Sequence, residues 1–298
     1  MRPTTSIALC AAALLLALLA LGAAVAAPQD PGGERREIGR TTERELNIVL
    51  TTTSGSVAIG RGEPEKVLVA EAVARDHRPS AMNVSYEVRN RIGYLDLALG
   101  EGDRTEEGGK KKVSVTGLDG GEWRLQLSDA LPISLDMELA LGSGSLDLTG
   151  LQVRDFNLET GASDVTLRID TPNRGQIETM TIESGVSRFV GKGLANANFR
   201  RLRFSGGMGT YELDFGGELA GEVDVDISLG VGLLTVIVPR ETGAAVVYEK
   251  SWTSKISYDG DFRATSDTRS VTSNYATAKG KMNIRVESGM GSVRIKRR

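Results

Sequence analysis

The sequence has 298 residues, a formal net charge of −3 at neutral pH and a single cysteine, Cys10. Because no cysteine follows residue 10, the rest of the chain is without a disulfide, a thiolate nucleophile or a cysteine-based metal site. The mild and mixed charge argues against nucleic acid as a partner, because nucleic-acid binding needs a basic face.

Residues 1–26 have the pattern of a secretory signal peptide. Arg2 gives a positive start, residues 7–21 form an uncharged apolar run, and residues 24–26 (Ala-Val-Ala) supply a cleavage signal of small residues. We therefore expect an exported protein, periplasmic or on the cell surface. An uncleaved anchor is the alternative, since residues 7–27 could span a bilayer. After cleavage, no apolar stretch of that length remains, so we expect no integral membrane span.

The next part of the chain is predicted to contain a leader and a less regular β region. Residues 27–37 are polar and include Pro31-Gly32-Gly33, which predicts a flexible leader. Residues 38–130 are predicted to form an N-terminal β region with weak periodicity. Within it, residues 101–112 carry charges on both sides of two glycines, which predicts an exposed hairpin loop.

From residue 131 to residue 298, the sequence predicts stacked β repeats with glycine at their corners. Apolar and polar residues alternate, as in residues 223–229, which is typical of strands with one buried face. Seven short segments, most of them reading Gly-x-(Gly or Ser)-x-apolar, interrupt this alternation at residues 54–57, 142–146, 161–165, 185–189, 207–211, 230–234 and 289–293. A near-fixed period of about 20 residues indicates a repeat architecture.

These patterns together predict an all-β protein, a single-stranded parallel β-solenoid that resembles a β-helix. Each repeat is expected to form two or three short strands and to stack on the previous one. One repeat position is predicted to build an interior column from Leu146, Val165, Phe189, Tyr211 and Leu234. Their neighbours are predicted to face outward, with Val190 the exception: Asp147, Thr166, Val190, Glu212 and Thr235. The polar residues 252–281 are predicted to be a long insertion before a last repeat at 282–295.

Residues with catalytic or metal-binding chemistry have simpler structural explanations. His77, the single histidine, is expected to be a surface residue, since a catalytic histidine needs a nucleophile and an orienting partner. Ser143, Ser163 and Ser187 occupy turn positions and lack the Gly-x-Ser-x-Gly pattern of a nucleophile elbow. Asp224 and Asp226 share one strand face and could bind a hard cation, although a solvated outer face is the favoured interpretation.

Two glycine-rich stretches resemble ligand-binding motifs without matching them. Residues 185–193 approach a phosphate-binding loop, but the glycine spacing is one residue too long and Gly193 stands where Ser or Thr would bind magnesium. Residues 206–209 approach a calcium-binding repeat, but Tyr211 replaces the aspartate. The sequence therefore predicts no catalytic residue, no cofactor and no metal.

Several segments resemble the toast-rack domain of bacterial envelope proteins: residues 123–127, 131–135, 146–151, 193–199, 213–219, 273–278 and 289–293. The resemblance implies a β-solenoid of the cell envelope, related to the C-terminal domain of cell-wall-active-antibiotic response proteins and, more distantly, to adhesin-head-like solenoids. Some relatives report envelope stress to a sensor kinase, but they carry several membrane helices before the solenoid. The family supplies no catalytic residues.

Three functions follow from these observations. The first is an exported, non-catalytic scaffold or interaction protein that presents an elongated polar face to an unknown envelope protein or to its own copies. The second is an envelope-stress regulator, which the resemblance alone suggests. The third is a polysaccharide-processing β-helix, which would need aromatic platforms, and only Trp123 and Trp252 are tryptophans.

Overall fold

The computed structural model describes residues 34–73, 80–100, 102–107, 110–115, 120–219, 221–249 and 252–298, with backbone alone at 102–107 and 110–115. These residues belong to the compact unit Pro31–Arg298. The predicted signal peptide at 1–26 and His77 lie outside the described residues. Among the described residues, no helix is long and apolar enough to cross a membrane.

The described residues are almost entirely β-structure with one short 3₁₀ helix, η1 (Leu194–Ala197). The strands are β1 (Glu34–Gly39), β2 (Glu45–Arg61), β3 (Lys66–Val73), β4 (Met82–Arg89), β5 (Ile92–Leu99), β6 (Gly102–Glu107), β7 (Lys110–Val115), β8 (Gly121–Leu127), β9 (Pro132–Asp147), β10 (Gln152–Arg168), β11 (Ile177–Lys192), β12 (Phe199–Asp214), β13 (Glu222–Val238), β14 (Gly243–Tyr248), β15 (Ser254–Asp259), β16 (Phe262–Ala264), β17 (Arg269–Thr272) and β18 (Lys281–Arg297).

Seven long strands form the solenoid, stacked in parallel in the order β2-β9-β10-β11-β12-β13-β18. Each of the seven predicted glycine-rich segments lies within one of these strands, near the middle in all but β9, so the all-β parallel solenoid is confirmed. The prediction of two or three short strands per repeat is wrong. Each rung is one continuous strand of 16 or 17 residues that bends at its glycine-rich segment.

The bend changes which side chains point inward. In β12, Leu202 and Phe204 are buried before the bend, whereas Tyr211 and Leu213 are buried after it. The buried positions therefore change from even to odd numbers, because side chains alternate along a strand and the bend shifts the alternation by one residue. Met208 continues the even numbering of the first half, but the bend begins at Gly207 and turns its side chain outward, where it is 55% exposed.

The predicted interior column is confirmed except at Leu146. Val165, Phe189, Tyr211 and Leu234 pair in register across four neighbouring strands and all are buried. Leu146 pairs with Leu167 instead, and it is buried one column away. The error arose because Ala140, two residues before Gly142, lies at the position that glycine occupies in the other repeats.

The N-terminal end of the stack is covered by two smaller groups of strands. The first half of β2 pairs in parallel with β5, which pairs antiparallel with β4. The second half of β2 pairs in parallel with β8, and β3 and then β1 follow in antiparallel pairing. The parallel stack thus begins at Glu45, inside the region predicted to be separate from the solenoid. Strand β1 begins at Glu34, within the predicted flexible leader. Residues 102–107 and 110–115 pair as an antiparallel hairpin, as predicted for the charged loop.

The C-terminal end is closed by the predicted insertion. Strand β18 lies between β13 and β14, while β15 pairs with its second half and β16 pairs with β17 as a hairpin. The Arg297 side chain is only 2% exposed and reaches the Asp261 carboxylate at 3.0 Å. It also donates to the carbonyls of Pro239, Arg240 and Thr242 at 2.6–2.7 Å. These bonds compensate the buried charge of Arg297. They also hold the strands β14 to β17, which we call the cap, against β18, the last rung.

Candidate interaction surface

A row of exposed apolar side chains runs along the bend of the last four rungs. Val186, Met208, Val231 and Met290 pair in register on β11, β12, β13 and β18, so they stand about 4.8 Å apart. Leu233 lies beside Val231 on the same bend. These five residues, which we call the apolar ridge, are 40–62% exposed.

The backbone beside the ridge has little freedom to move. Gly232 has a φ of +148°, and a Cβ atom added there would lie 2.0 Å from the carbonyl oxygen of Gly209 on the preceding rung. Glycine is the residue that tolerates both this dihedral angle and this close approach. The rungs are therefore pressed together at the bend, which holds the ridge residues in a fixed row.

Polar residues flank the ridge in a regular order. On the side before the bend, which we call flank A, Glu183, Ser205, Ser228 and Glu287 pair in register and are exposed. On the side after it, flank B, three of these rungs carry Arg188, Thr210 and Ser292, while the ridge residue Leu233 takes this position on β13, and Lys255 of β15 follows Ser292. The two central rungs carry no charge at these positions.

An exposed tryptophan stands at the C-terminal end of the ridge. Trp252 is 97% exposed. The next residue, Thr253, accepts a hydrogen bond from the Gly291 N–H at 3.2 Å, and its hydroxyl donates to the Gly289 carbonyl. Both glycines adjoin Met290, so Trp252 lies close to the last residue of the ridge. Tryptophan is enriched at interaction surfaces because it combines a large apolar area with a polar N–H group.

The bend also borders a shallow polar groove on flank A. It has a volume of about 510 Å³, and the exposed edge of its lining includes Glu138, Glu159 and Glu183. These carboxylates come from three successive rungs and pair in register. Inside the bend, the Thr160 and Ser184 hydroxyls bond to each other at 3.0 Å, and the Tyr211 hydroxyl donates to the Gly185 carbonyl at 3.2 Å.

A larger groove, of about 770 Å³, lies away from the bend. It contains Asp224, which the sequence had suggested as a cation ligand. The Asp224 carboxylate lies 3.2 Å from Arg201, and the Asp226 carboxylate lies 3.5 Å from Arg285 and 3.8 Å from Arg201. The arginines of neighbouring rungs thus balance both carboxylates, which supports the interpretation of a solvated outer face.

The serines singled out in the sequence contact other serines or none. The Ser143 hydroxyl bonds to Ser56 at 2.8 Å, Ser187 bonds to Ser184, and Ser163 has a buried hydroxyl without a partner. Trp123 is fully buried and Trp252 is exposed. Of the two tryptophans that could stack on a sugar ring, only Trp252 is therefore accessible. The stretches 185–193 and 206–209 belong mainly to the extended strands β11 and β12.

Sequence reasoning missed the ridge itself. It predicted an elongated polar face, and it treated each apolar residue of the alternation as buried. The signal that could have found the ridge is the change of buried positions across each bend. Residues between the two phases, such as Met208 and Val231, belong to neither interior row.

The family model for the N-terminal domain of toast_rack, DUF2154, matches residues 28–190. The chain belongs to the toast-rack family. The match includes β2, β9, β10 and most of β11, and it ends before the ridge residues of β12, β13 and β18. The resemblance predicted from the sequence is therefore confirmed.

Two solved structures match this chain over most of its length. A candidate cell adhesion protein from Clostridium sporogenes ATCC 15579 is 19% identical, with a TM-score of 0.44, over 90% of this chain and 100% of that one. A candidate adhesin from Bacteroides fragilis NCTC 9343 is 12% identical, with a TM-score of 0.29, over 90% of this chain and 98% of that one. No curated protein matches this chain.

Proposed function

We propose that this toast-rack protein is an exported, non-catalytic interaction protein of the bacterial cell envelope, and that the apolar ridge is its contact surface. One observation carries the proposal. In the described residues, all six large hydrophobic side chains that are exposed lie on the ridge or at its end, at Trp252. Exposed large hydrophobic side chains that are scattered singly are ordinary on a soluble protein, whereas a contiguous group of them often marks an interaction site.

The fold does not require large apolar residues at these positions. Ala162 on β10 pairs directly with Val186, and it occupies the same bend with a single methyl group. Since these side chains point away from the core, their apolar area contributes little to folding. The row of valine and methionine is therefore better explained by contact with another molecule, and methionine adapts well to varied partners.

Other features support export and the absence of catalysis. The sequence at 1–26 has the three parts of a signal peptide, and the rest of the chain has no cysteine. Arg201 balances the Asp224 carboxylate in the groove of about 770 Å³, and the burial of Trp123 leaves one exposed tryptophan. A stress regulator and a polysaccharide-processing protein stay predictions from the sequence.

Site-specific photo-cross-linking in cells tests this proposal. The full chain is produced in a bacterial host with a photoreactive residue at Met208, which is 55% exposed. We expect covalent adducts after illumination, because the ridge is held against its partner. The matched control places the same residue at Arg200, which is exposed on the same strand away from the bend. Adducts that form at Arg200 as readily as at Met208, or that are missing at Met208, would contradict the proposal.

A further inference from the structure

The charges around the apolar ridge differ between its two flanks. Flank A carries a carboxylate at each end of the ridge, Glu183 on β11 and Glu287 on β18. Flank B carries a cation near the same two ends, Lys255 on β15 and Arg188 on β11, whose exposed guanidinium also lies 3.2 Å from Asp164 of β10 in the same copy. The middle of both flanks is uncharged. The ridge therefore has one acidic border and one basic border along its length.

This pattern is complementary to itself in one orientation. If two copies meet ridge to ridge about a two-fold axis parallel to the ridge, flank A of each copy faces flank B of the other at the same height. Glu183 then faces Arg188 of the second copy, and Glu287 faces the end that bears Lys255. If the axis instead lies in the contact plane but perpendicular to the ridge, the two ridges are antiparallel. Glu183 then faces Glu287 of the other copy, and like charges oppose each other.

We infer that the partner of the apolar ridge is a second copy of this chain, packed with its ridge parallel about a two-fold axis along the solenoid. This inference rests on the proposed function of the ridge. A symmetric contact of this type is isologous, so each ridge residue lies opposite its own counterpart. The repeat of about 4.8 Å along both ridges lets Val186, Met208, Val231 and Met290 pack against the same residues of the other copy.

The ridge ends where this packing would become unfavourable. On β10, flank A has Glu159 and flank B has Asp164, so two carboxylates would face each other across the dimer. At this rung the bend residue is Ala162, which is too short to bring the two copies into contact. The apolar row and the charge complementarity therefore stop at the same place in the solenoid.

The charges give no net attraction to a lipid surface. At a bilayer, the lipid phosphates would repel Glu183 and Glu287 and attract Arg188 and Lys255, whereas a second copy can pair the two signs. The small size of the ridge predicts a dimer that forms reversibly, because stable dimers bury about 800 Å² on each partner. Such a reversible dimer would form where the local concentration of the protein in the envelope is high.

Cysteine cross-linking measures this arrangement directly, because the full chain becomes cysteine-free with Cys10→Ser. Intact cells that express this chain with Val186→Cys or Met290→Cys are oxidised with copper phenanthroline. We expect each variant to give a disulfide dimer at least five times more abundant than Arg200→Cys, the exposed control away from the ridge. These positions lie at opposite ends of the ridge, so a parallel contact joins each one to itself.

Other outcomes overturn the inference in distinguishable ways. If Val186→Cys and Met290→Cys form dimers only when they are expressed together, the ridges are antiparallel. If no ridge cysteine forms a dimer although the photo-adducts at Met208 have the mass of another protein, the partner is not a second copy and the proposed function stands. If the Met208 adducts are with lipid, the ridge contacts the membrane and the inference fails.

Charge exchange provides a second measurement that does not depend on oxidation. In the parallel arrangement, Glu183→Lys opposes Arg188 of the other copy and should lower the yield of the Met290→Cys dimer several-fold. Adding Arg188→Glu restores the opposite charges and should restore the yield. An increase in yield with Glu183→Lys alone would indicate the antiparallel arrangement and overturn the inference.

Discussion

The N-terminal and C-terminal rungs of the solenoid share one bend but differ in what they present there. On β9 and β10 the bend residues are Leu141, which is half-buried, and Ala162. On β11, β12, β13 and β18 the same position holds the exposed Val186, Met208, Val231 and Met290. The backbone pairing is continuous through both groups, so the difference lies in the side chains alone.

This difference distinguishes bend positions whose residue type the fold requires from positions where the fold accepts several residue types. Glycine positions at the bend are constrained by the neighbouring rung, and the interior columns are constrained by packing. The outward position between them is constrained by neither, so its side chain is free to serve a contact outside the molecule. The apolar choice in the last four rungs is therefore evidence of a function and not of folding.

The largest expected effect comes from filling the bend at a constrained position. Gly232→Val should destabilise the protein by about 3 kcal/mol, because valine would need a left-handed dihedral angle and would strike the Gly209 carbonyl. Denaturant unfolding of the full chain measures this change. The matched control is Ser163→Val, which aligns with the same bend position on β10 and already has a side chain there. Equal destabilisation by both variants would contradict the proposed constraint.

Much of this constraint could be predicted from the sequence, and the reason is local. Alternation and glycine spacing depend on neighbouring residues in one strand, so they predicted the seven glycine-rich interruptions and most of the interior column, but not that each rung is one continuous strand. The register of Leu146 required knowing that Ala140 replaces a glycine. The end caps could not be predicted, because β15 and β14 pair with β18 through contacts between residues distant in sequence.

An intermediate effect is expected from exchanging the outward residues between the two groups. Met208→Ala should change the free energy of unfolding by no more than about 0.5 kcal/mol, because the side chain is exposed. It should nevertheless reduce dimer formation several-fold. Ala162→Met should leave stability equally unchanged and add apolar area to the ridge. Denaturant unfolding and sedimentation equilibrium measure both quantities. A loss of stability above 2 kcal/mol in Met208→Ala would show that the ridge serves folding.

The smallest effect should appear on acidification, at the cap beside the C-terminal rungs. Hydrogen bonds from the Ser273 hydroxyl and N–H, together with Arg297, lower the pKa of Asp261 to about 2, from an ordinary value of 3.8. A lowered pKa in the folded state stabilises the cap above pH 4, and this stability is lost as the pH falls from 4 towards 2.

Hydrogen exchange at residues 254–264, corrected for its intrinsic pH dependence, measures this opening. We expect protection there to fall with pH while β9 and β10 stay protected. Asp261→Asn should remove the pH dependence, because the amide does not titrate. Loss of protection in both regions at the same pH would show that the cap and the N-terminal rungs open as one unit.

The position of β18 gives the molecule a closing step that most repeat proteins lack. A typical solenoid grows by adding each strand to the exposed edge of the strand before it. Here β14 and β15 precede β18 in the sequence, yet both rest on it, while β18 itself rests on β13. The pairing of β14 and β15 with the solenoid therefore depends on β18, although β14 also pairs with β17. Deleting the last rung would detach the four strands that reach the sheet through it, β14, β15, β16 and β17, and uncover the edge of β13.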